Sequence, residues 1–498
     1  MMLRSRSFCF LLFVGLFLLS FQAIQAQNAS SSPYSRFGIG DLQFNGLARN
    51  NGMGGIAQGL QHQYYLNLGN PASFSAISMT TYEVGMNLTL NQFETSSIKQ
   101  QSHTTSLGYF AFGFPVKSKK WGLGFGLLPY SNVGYSITDK RTNVLNSIEL
   151  HTYKGSGGLN QFFFANGVSL SKKLSAGFTA SYLFGVLEQN RTVEFEDPTY
   201  FNTQLTNSTA VGWFHFNLGL QYTMDSLRIS PSDSIKMFDH LLEVSRDSMC
   251  ELNHLRKNTS DSLIRTDCER KISEMTVQNK NTAKLRSNVV HRHDKGDWGL
   301  TFGVTVAPSA SLRARNSTLA YNFKYFDYTT KDQVLVRDTV LNTEGEKGTI
   351  KLPLSLGVGI AAKKGNQWLI GADFNLQNWK DYSAFGQNDS LSDSWRVGAG
   401  VQFTPNDRAL KSYLKVVQYR IGVHYAQTFL QLNQTQLNET GVSLGLGFPI
   451  RRAGTTVQFS AEAGSRGTTE NNLIREKYIR FTLGFTLNDR WFLKPKYD

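Results

Sequence analysis

Apolar and polar residues alternate in strand-length runs along most of this chain. From Phe214 to Thr223 every second residue is apolar, and the residues between them are His, Asn, Gly, Gln and Thr. The runs around Phe302, Leu356 and Phe481 repeat the pattern. A period of two predicts β-strands whose two faces differ in polarity.

The second face of these runs distinguishes two kinds of β-protein. In a soluble sandwich the polar face is usually charged, because water covers it. Here it consists mainly of Gly, Ser, Thr, Asn and Gln, and aromatic residues form 12% of the chain. Small polar residues suit a crowded barrel interior, and aromatic residues gather at membrane interfaces. We therefore predict an all-β fold, a transmembrane β-barrel, with a soluble sandwich as the alternative.

Counting the runs predicts a barrel of about fourteen antiparallel strands. Six lie in residues 80–224 and eight in residues 297–498. Short turns alternate with longer connections, predicted at 141–158, 196–206, 321–347 and 383–391, so we expect the short turns to face the periplasm. The predicted strands are 80–96, 104–117, 121–140, 159–172, 174–195, 207–224, 297–320, 348–363, 367–382, 392–405, 414–437, 439–452, 455–469 and 474–492.

The first 26 residues have the plan of a signal peptide. Arg4 and Arg6 precede an apolar run at 8–21, and the small residue Ala26 ends the segment. A membrane anchor is the alternative, but the run is shorter than the roughly 20 residues that span a bilayer. We therefore expect cleavage of residues 1–26, export, and insertion among the lipids of the outer membrane.

Composition excludes several function classes. A mean hydropathy of −0.29 fits a barrel, in which only alternate residues face lipid. The net charge is +14, and +12 without Arg4 and Arg6, but export argues against nucleic-acid binding. No local motif pairs a nucleophile with a base, so we expect neither enzymatic activity nor a cofactor. His291 and His293 lack a specific metal-ligand spacing, and we expect no metal there.

Residues 27–79 precede the first strand and are rich in Gly, Asn and Ser. Glycine permits positive φ angles and close backbone packing. We therefore predict that this segment, the hatch, folds into the barrel lumen. Its motif residues are Gly52, Gly54, Gly55, Asn70, Pro71 and Ala72.

These motifs, followed by a fourteen-strand pattern, resemble those of the FadL-type outer-membrane transport proteins. The Tyr34–Asp41 stretch and the ending Leu487–Phe492 are similar to the Bacteroidota branch of that family. The resemblance implies a lumenal hatch and passage of small hydrophobic molecules. Relatives of the same shape, such as PorV, serve instead as non-transporting partners in protein secretion. Transport and a partner role in a secretion or assembly complex are therefore our two hypotheses.

Six charged or ionisable residues lie at mid-strand positions that should point into the lumen, at one level of the barrel. They could form a structural ion network, because buried charges must be paired. Alternatively they could bind the head group of a ligand, for example a carboxylate that contacts Arg396 or Arg420. The six are Asp373, Arg396, Arg420, His424, Glu462 and Arg480.

Residues 225–296 depart from the strand pattern. Apolar residues recur there at helical spacing, and Asn258–Ser260 interrupts them. We predict a helical hairpin with its turn near Thr259, on the periplasmic side by strand parity. Cys250 and Cys268 each lie nine residues from Thr259, so we expect a disulfide, with two free thiols as the alternative. Such an insert suggests a protein partner.

Overall fold

In the computed structural model, residues 32–43, 46–142, 147–224, 231–295, 298–327, 334–409, 411–450 and 454–489 are described. The expected signal peptide lies outside these ranges. Nineteen strand segments form one antiparallel sheet. They are β1 (Asp41–Leu42), β2 (Thr80–Glu94), β3 (Lys99–Lys117), β4 (Trp121–Asn132), β5 (Tyr135–Thr142), β6 (Ile148–Ser169), β7 (Leu174–Phe195), β8 (Asn202–Met224), β9 (Trp298–Ala307), β10 (Ala310–Tyr325), β11 (Val334–Leu352), β12 (Ser355–Lys364), β13 (Trp368–Gln377), β14 (Ser383–Ala384), β15 (Ser394–Phe403), β16 (Gln418–Leu432), β17 (Thr435–Ile450), β18 (Thr455–Arg466) and β19 (Arg475–Asp489).

The sheet closes into a barrel of fourteen wall strands, as predicted. Four wall strands consist of two consecutive segments each, namely β4 with β5, β9 with β10, β11 with β12, and β13 with β14. The last strand returns to the first, because β19 pairs with β2 from Arg475 opposite Glu94 to Asp489 opposite Thr80. β1 belongs to the hatch and pairs with the wall from inside.

The outer surface of the wall is apolar. Phe214, Phe216 and Leu218 on β8 are each about half exposed, whereas His215 and Asn217 between them line the interior. This is the alternation of a lipid-facing strand. Among the described residues, no helix is both long and apolar enough to cross a membrane.

Two wall strands begin much earlier than predicted. β6 begins at Ile148 rather than at residue 159, and β11 begins at Val334 rather than at residue 348. Much of 141–158 and of 321–347, predicted as loops, is therefore sheet. The side chains of 334–347 are all exposed, so neither face of that part of β11 is buried. An alternation rule needs one buried face, and it fails where strands extend beyond the membrane.

The helices lie in the hatch and in the insert. α1 spans Ala48–Asn51, α2 spans Pro231–Asn258 and α3 spans Ser262–Lys295. The insert leaves from β8 and returns to β9, at the barrel end that carries the short β3–β4, β6–β7 and β12–β13 turns. We call this the periplasmic end, following the barrel convention. Short 3-10 helices occupy Pro33–Arg36, Pro71–Ala76, Trp379–Asp381 and Glu470–Asn472.

The two insert helices pack against each other in an antiparallel hairpin. Arg286 Nε lies 2.6 Å from Asp239 Oδ1, and Arg256 Nη1 lies 3.8 Å from Glu269 Oε1. The midpoint of both ion pairs falls between residues 262 and 263. The turn itself, at residues 259–261, lies where the sequence predicted it, but the pairing of the two helices is centred about three residues beyond Thr259.

That shift separates the two cysteines, and the expected disulfide is wrong. Cys250 and Cys268 are free thiols, one exposed and one buried. With the centre between 262 and 263, the level of Cys250 corresponds to position 275 on α3. Cys268 is seven residues from that position, about 10 Å along a helix. The prediction assumed that the two helices pair symmetrically about the turn at Thr259, and they do not.

Candidate functional site

The hatch follows the inner wall of the barrel, backbone against backbone. At many points its main chain touches wall glycines, and a Cβ at any of them would collide with a hatch atom. For example, a Cβ at Gly303 would meet the Gln58 carbonyl, and one at Gly422 would meet the Gly54 amide. Glycine is the residue that permits such close approach of two backbones. The contacting glycines include Gly122, Gly167, Gly177, Gly303, Gly400 and Gly422.

The motif glycines lie where the hatch turns. Gly52 ends α1, and Gly54 and Gly55 have φ angles of +67° and +78°. Gly54 also has no room for a side chain, because a Cβ would lie 2.5 Å from the Val423 carbonyl oxygen. Its amide donates to Ser443 Oγ at 2.9 Å. Both the conformation and the contact therefore require glycine at position 54.

Asn70, Pro71 and Ala72 begin the 3-10 helix of the hatch. The Asn70 side chain accepts from the Ala72 amide at 3.1 Å, as an N-cap does. Its Nδ2 donates to the Gln58 carbonyl at 2.9 Å and to the Leu220 carbonyl at 3.2 Å. One buried side chain thus joins two parts of the hatch to the wall.

Asp373 and Arg396 hold the hatch from the wall side. The Asp373 carboxylate accepts from the Ala57 amide, and from the Gln58 amide at 2.7 Å. Arg396 Nη2 donates to the Gly54 carbonyl at 3.4 Å. Both side chains face the lumen, as the strand register predicted. Both are joined to hatch backbone by these bonds.

Arg420 is buried at the level of the hatch. Its guanidinium donates to Gln402 Oε1 at 2.9 Å, to Gln458 Oε1 at 2.6 Å and to Gln418 Oε1. Arg49 of the hatch donates to the same Gln402 oxygen at 3.3 Å. Arg420 does not line the main cavity. The acceptors in these three bonds are carboxamides, so Arg420 is held by glutamines here and not by an acid of the predicted ion network.

The other three predicted residues lie higher in the barrel, on the extracellular side of the hatch. His424 Nε2 is 3.5 Å from Glu439 Oε1, and Arg480 Nη1 is 3.9 Å from Glu462 Oε1. His424 is four residues beyond Arg420 on β16, about 13 Å along a strand. The six residues therefore share a lumenal orientation but occupy more than one level.

A second ion group adjoins this one. Arg466 lies 2.9 Å from Asp41 Oδ1 and 2.5 Å from Glu476 Oε2, and it donates to Ser32 Oγ at 2.7 Å. Sequence reasoning missed this group. The prediction considered only charged residues in the middle of strands. Asp41 is in the hatch, and Arg466 and Glu476 lie at strand ends. Following the alternation of β19 from Arg480 back to Glu476 would have placed Glu476 in the lumen.

Above the hatch the lumen contains a cavity of about 430 Å³. Gln58 and Phe74 of the hatch form part of its floor. The lining is mixed, since aromatic and aliphatic side chains alternate with carboxylates, amides and guanidinium groups. Lining residues include Leu128, Phe163, Trp379, Arg396, Phe429 and Glu439. This is space for a small molecule with both an apolar and a polar part.

The barrel wall is interrupted beside this cavity. β4 ends at Asn132 and β5 begins at Tyr135, and β5 pairs only with β6. β3 pairs with β4 only from Phe110 to Lys117. Within the described part of the chain, β3 from Lys99 to Tyr109 therefore has no strand partner on that side.

The hatch covers this break from inside. Leu42 of β1 pairs with Ser131 of β4, and the Gln43 amide donates to the Tyr130 carbonyl at 2.9 Å. The Gly134 amide, between β4 and β5, donates to Ser35 Oγ at 3.1 Å. A hatch strand thus takes the position beside β4 that a wall strand would occupy.

Known proteins share this architecture. The toluene transporter TodX of Pseudomonas putida matches with a TM-score of 0.52 at 13% identity, over 90% of this chain and 100% of that one. The toluene transporter TbuX of Ralstonia pickettii gives 0.49 at 12% identity, over 90% and 99%. A FadL homologue of Pseudomonas aeruginosa gives 0.49 at 9% identity, also over 90% and 99%. At these identities the likeness to TodX shows a shared fold.

Comparison with sequences gives the family. No curated protein sequence matches the chain significantly. A family model named BamG matches residues 9–289 and 258–498, which is nearly the whole chain. The protein therefore belongs to the BamG family.

Proposed function

We propose that the protein is an outer-membrane channel for passive passage of small hydrophobic molecules that carry a polar group. The observation that carries this proposal is the break between β3 and β5, beside a cavity and covered by the hatch. A hydrophobic molecule partitions into lipid, so a lateral path through the wall suits it better than a water-filled pore. Export by the signal peptide at 1–26 and a place in the Bacteroidota branch are part of the proposal.

The cavity supports a ligand of mixed polarity. Trp379 and Phe429 are buried, stack with ring centroids 4.6 Å apart, and contribute an aromatic part to the cavity lining. Arg396 lines the same cavity and is partly exposed. An anionic head group could contact Arg396 while an apolar body contacts the rings. Of the two arginines considered from the sequence, Arg396 is thus better placed than the buried Arg420.

A reversible lock of the break tests this function. Leu42 and Ser131 are directly opposite each other in the β1–β4 ladder. The neighbouring pair, Gln43 and Tyr130, is joined by a backbone hydrogen bond. Leu42 and Ser131 therefore form a non-hydrogen-bonded pair, the kind in which opposite side chains are closest. We expect Leu42→Cys with Ser131→Cys to form a disulfide when Cys250 and Cys268 are changed to Ser. Oxidation should then abolish uptake of radiolabelled toluene by expressing cells, and reduction should restore it.

The matched control is the same cysteine-free protein without the new pair, oxidised and reduced in parallel. Its uptake should be the same under both conditions. Equal uptake by the locked and unlocked forms would exclude a path through this break. Absence of uptake by the parent protein would exclude toluene as a ligand and would require an amphipathic probe with a carboxylate.

The hairpin favours a second function, as a barrel subunit of an outer-membrane protein secretion or assembly complex. Met237, Leu241, Val244 and Leu255 follow one face of α2 by helical spacing, and each is at least half exposed. An apolar stripe on a periplasmic arm suits contact with a protein. We infer that this stripe binds such a partner, which would make the chain similar in role to PorV.

Replacing Leu241 and Val244 with Gln tests the second function. The change should remove a co-purifying protein while leaving the barrel folded, since it touches only exposed positions. Uptake of hydrophobic probes should persist if transport and docking are separate. A matched change on the polar side of the same helix, Glu243→Gln with Arg246→Gln, should retain the partner. Equal recovery from both variants would contradict docking through the stripe.

A further inference from the structure

Three wall strands bring one imidazole and two carboxylates together above the hatch. His424 lies on β16, Glu439 on β17 and Glu462 on β18. Their potential ligand atoms all lie within 4.8 Å of one another. His424 and Glu462 are buried, and both glutamates line the cavity. The three side chains are therefore held by the wall strands on one side and are open to the cavity on the other.

His424 makes no hydrogen bond of normal length to any described residue. Its side chain is 1% exposed, its Nδ1 has no partner among the described residues, and its Nε2 is 3.5 Å from Glu439 Oε1. The opposite residue on β17 is Gly441, where a Cβ would collide with the imidazole ring. Glycine there lets the ring lie against the wall with Nε2 directed at Glu439. Burial of an imidazole without hydrogen bonds is unfavourable unless another group binds it.

The two carboxylates share a single hydroxyl proton. Tyr478 Oη is 2.6 Å from Glu439 Oε1 and 3.0 Å from Glu462 Oε1, and one O–H can donate to only one of them at a time. The neighbouring cations do not balance the acids. In this group of described residues, the carboxylates of Asp41, Glu439, Glu462 and Glu476 face the two guanidinium groups of Arg466 and Arg480. The excess of two negative charges equals the charge of one divalent cation.

We propose that His424, Glu439 and Glu462 bind a divalent transition-metal ion of the Zn²⁺ type. One imidazole nitrogen and two carboxylate oxygens are ligands that Zn²⁺ accepts, whereas Mg²⁺ and Ca²⁺ prefer oxygen alone. Two ionised glutamates and a neutral histidine would make the bound site uncharged. This inference does not depend on the transport function, although both glutamates also line the cavity.

The geometry needs only side-chain adjustment. In a tetrahedral zinc site, bonds of 2.0–2.2 Å place neighbouring ligand atoms about 3.4 Å apart. His424 and Glu439 already approach to 3.5 Å, so the Glu462 oxygen, which lies within 4.8 Å of both, has to move by about 1.5 Å or less relative to them. Tyr478 and Arg480 would then hold the ligating carboxylates from outside, as second-layer hydrogen bonds do in metal sites. The fourth position would face the cavity.

Metal binding by the purified, folded barrel tests the inference. In every protein used, His291 and His293 are changed to Ala, because two histidines on one helix can bind the same ions. After treatment with a chelator, calorimetric titration with Zn²⁺ should show about one ion per barrel. Co²⁺ in place of Zn²⁺ should give the visible absorption of a tetrahedral site. His424→Ala and Glu439→Gln should each weaken binding by about tenfold or more.

The control is His151→Ala, which breaks a histidine–glutamate pair of similar length, 3.1 Å, that is not part of any group of three close ligand atoms among the described residues. This variant should bind Zn²⁺ like the parent. Heat-modifiable migration on a gel checks folding, and Glu439→Gln serves if His424→Ala does not fold, since it preserves shape. Failure of the folded parent to bind Zn²⁺ at equimolar concentration would overturn the inference. Unchanged binding in both site variants would also overturn it, and the group would then be a metal-free ion network.

Discussion

The hatch and the helical hairpin are both additions to the same barrel, yet they are held in opposite ways. The hatch lies inside the wall, and its carbonyls and amides contact glycines and polar side chains of many strands. In the hairpin, Cys268 is the one buried side chain among those described. The hairpin helices are long and regular, whereas the described part of the hatch has one α-helix of four residues and two short 3-10 helices. Regular secondary structure is therefore a poor guide to how firmly a segment is joined to the barrel.

The largest expected effect comes from deleting each addition in turn. Removing residues 231–295 with a short linker should leave a barrel with normal heat-modifiable migration, because the wall strands pair without the hairpin. Removing residues 46–79 should leave only a minor folded fraction, because wall glycines and the Asp373 carboxylate lose their partners. Any barrel that does fold without the hatch should conduct more in planar bilayers. Equal folding of both deletions would remove the contrast.

Replacing a single carboxylate that holds the hatch should also reduce stability, by less than deleting the hatch. Asp373→Ala leaves the buried Ala57 and Gln58 amides without their acceptor. Each unsatisfied buried group costs about 1–3 kcal/mol, so we expect a loss of about 2–5 kcal/mol in unfolding free energy. Asp338→Ala, at an exposed position on β11, should change it by less than about 0.5 kcal/mol. Denaturant titration of both variants measures the difference, and equal midpoints would contradict the role of Asp373.

Adding one methyl group at a wall glycine should loosen the hatch. In Gly303→Ala the new Cβ collides with the Gln58 carbonyl, and such overpacking typically costs about 1–3 kcal/mol. Gly212→Ala is the matched control, because its Cβ would meet only the end of the Tyr182 side chain. Limited proteolysis should cut the hatch faster in Gly303→Ala alone. If the hatch is equally resistant to protease in both variants, the wall strand rather than the hatch has moved to accommodate the new methyl group.

The smallest expected effect on the barrel comes from a disulfide across the hairpin. Asn279 Nδ2 lies 3.4 Å from Met249 Sδ, so Met249→Cys with Asn279→Cys should oxidise readily when the native cysteines are Ser. The native pair, at different levels, should stay reduced under the same conditions. Mass spectrometry after alkylation distinguishes the two results. Barrel unfolding should be the same with and without the bridge, and a native Cys250–Cys268 bridge would overturn the hairpin register.

The sequence predicted the wall better than the contents of the barrel. Alternation identified fourteen strands and the lumenal side of Asp373, Arg396 and His424, because a strand exposes successive side chains to opposite faces. It could not predict β11 from Val334, where both faces are exposed and no burial pattern exists. It also could not align the two helices of the hairpin, since helical spacing identifies a face but not how far one helix is shifted along the other.

Local patterns along the chain were enough to predict the membrane-facing alternation, the glycine-rich hatch and the two helices of the insert. These are properties of residues close together in the chain. The tertiary structure decided that Arg420 bonds to three glutamines, that Glu439 joins His424, and that β1 covers the break beside β4. Those contacts depend on the stagger of neighbouring strands and on the path of the hatch. Both are set only when the sheet closes, because closure fixes which strand positions share a level inside the barrel.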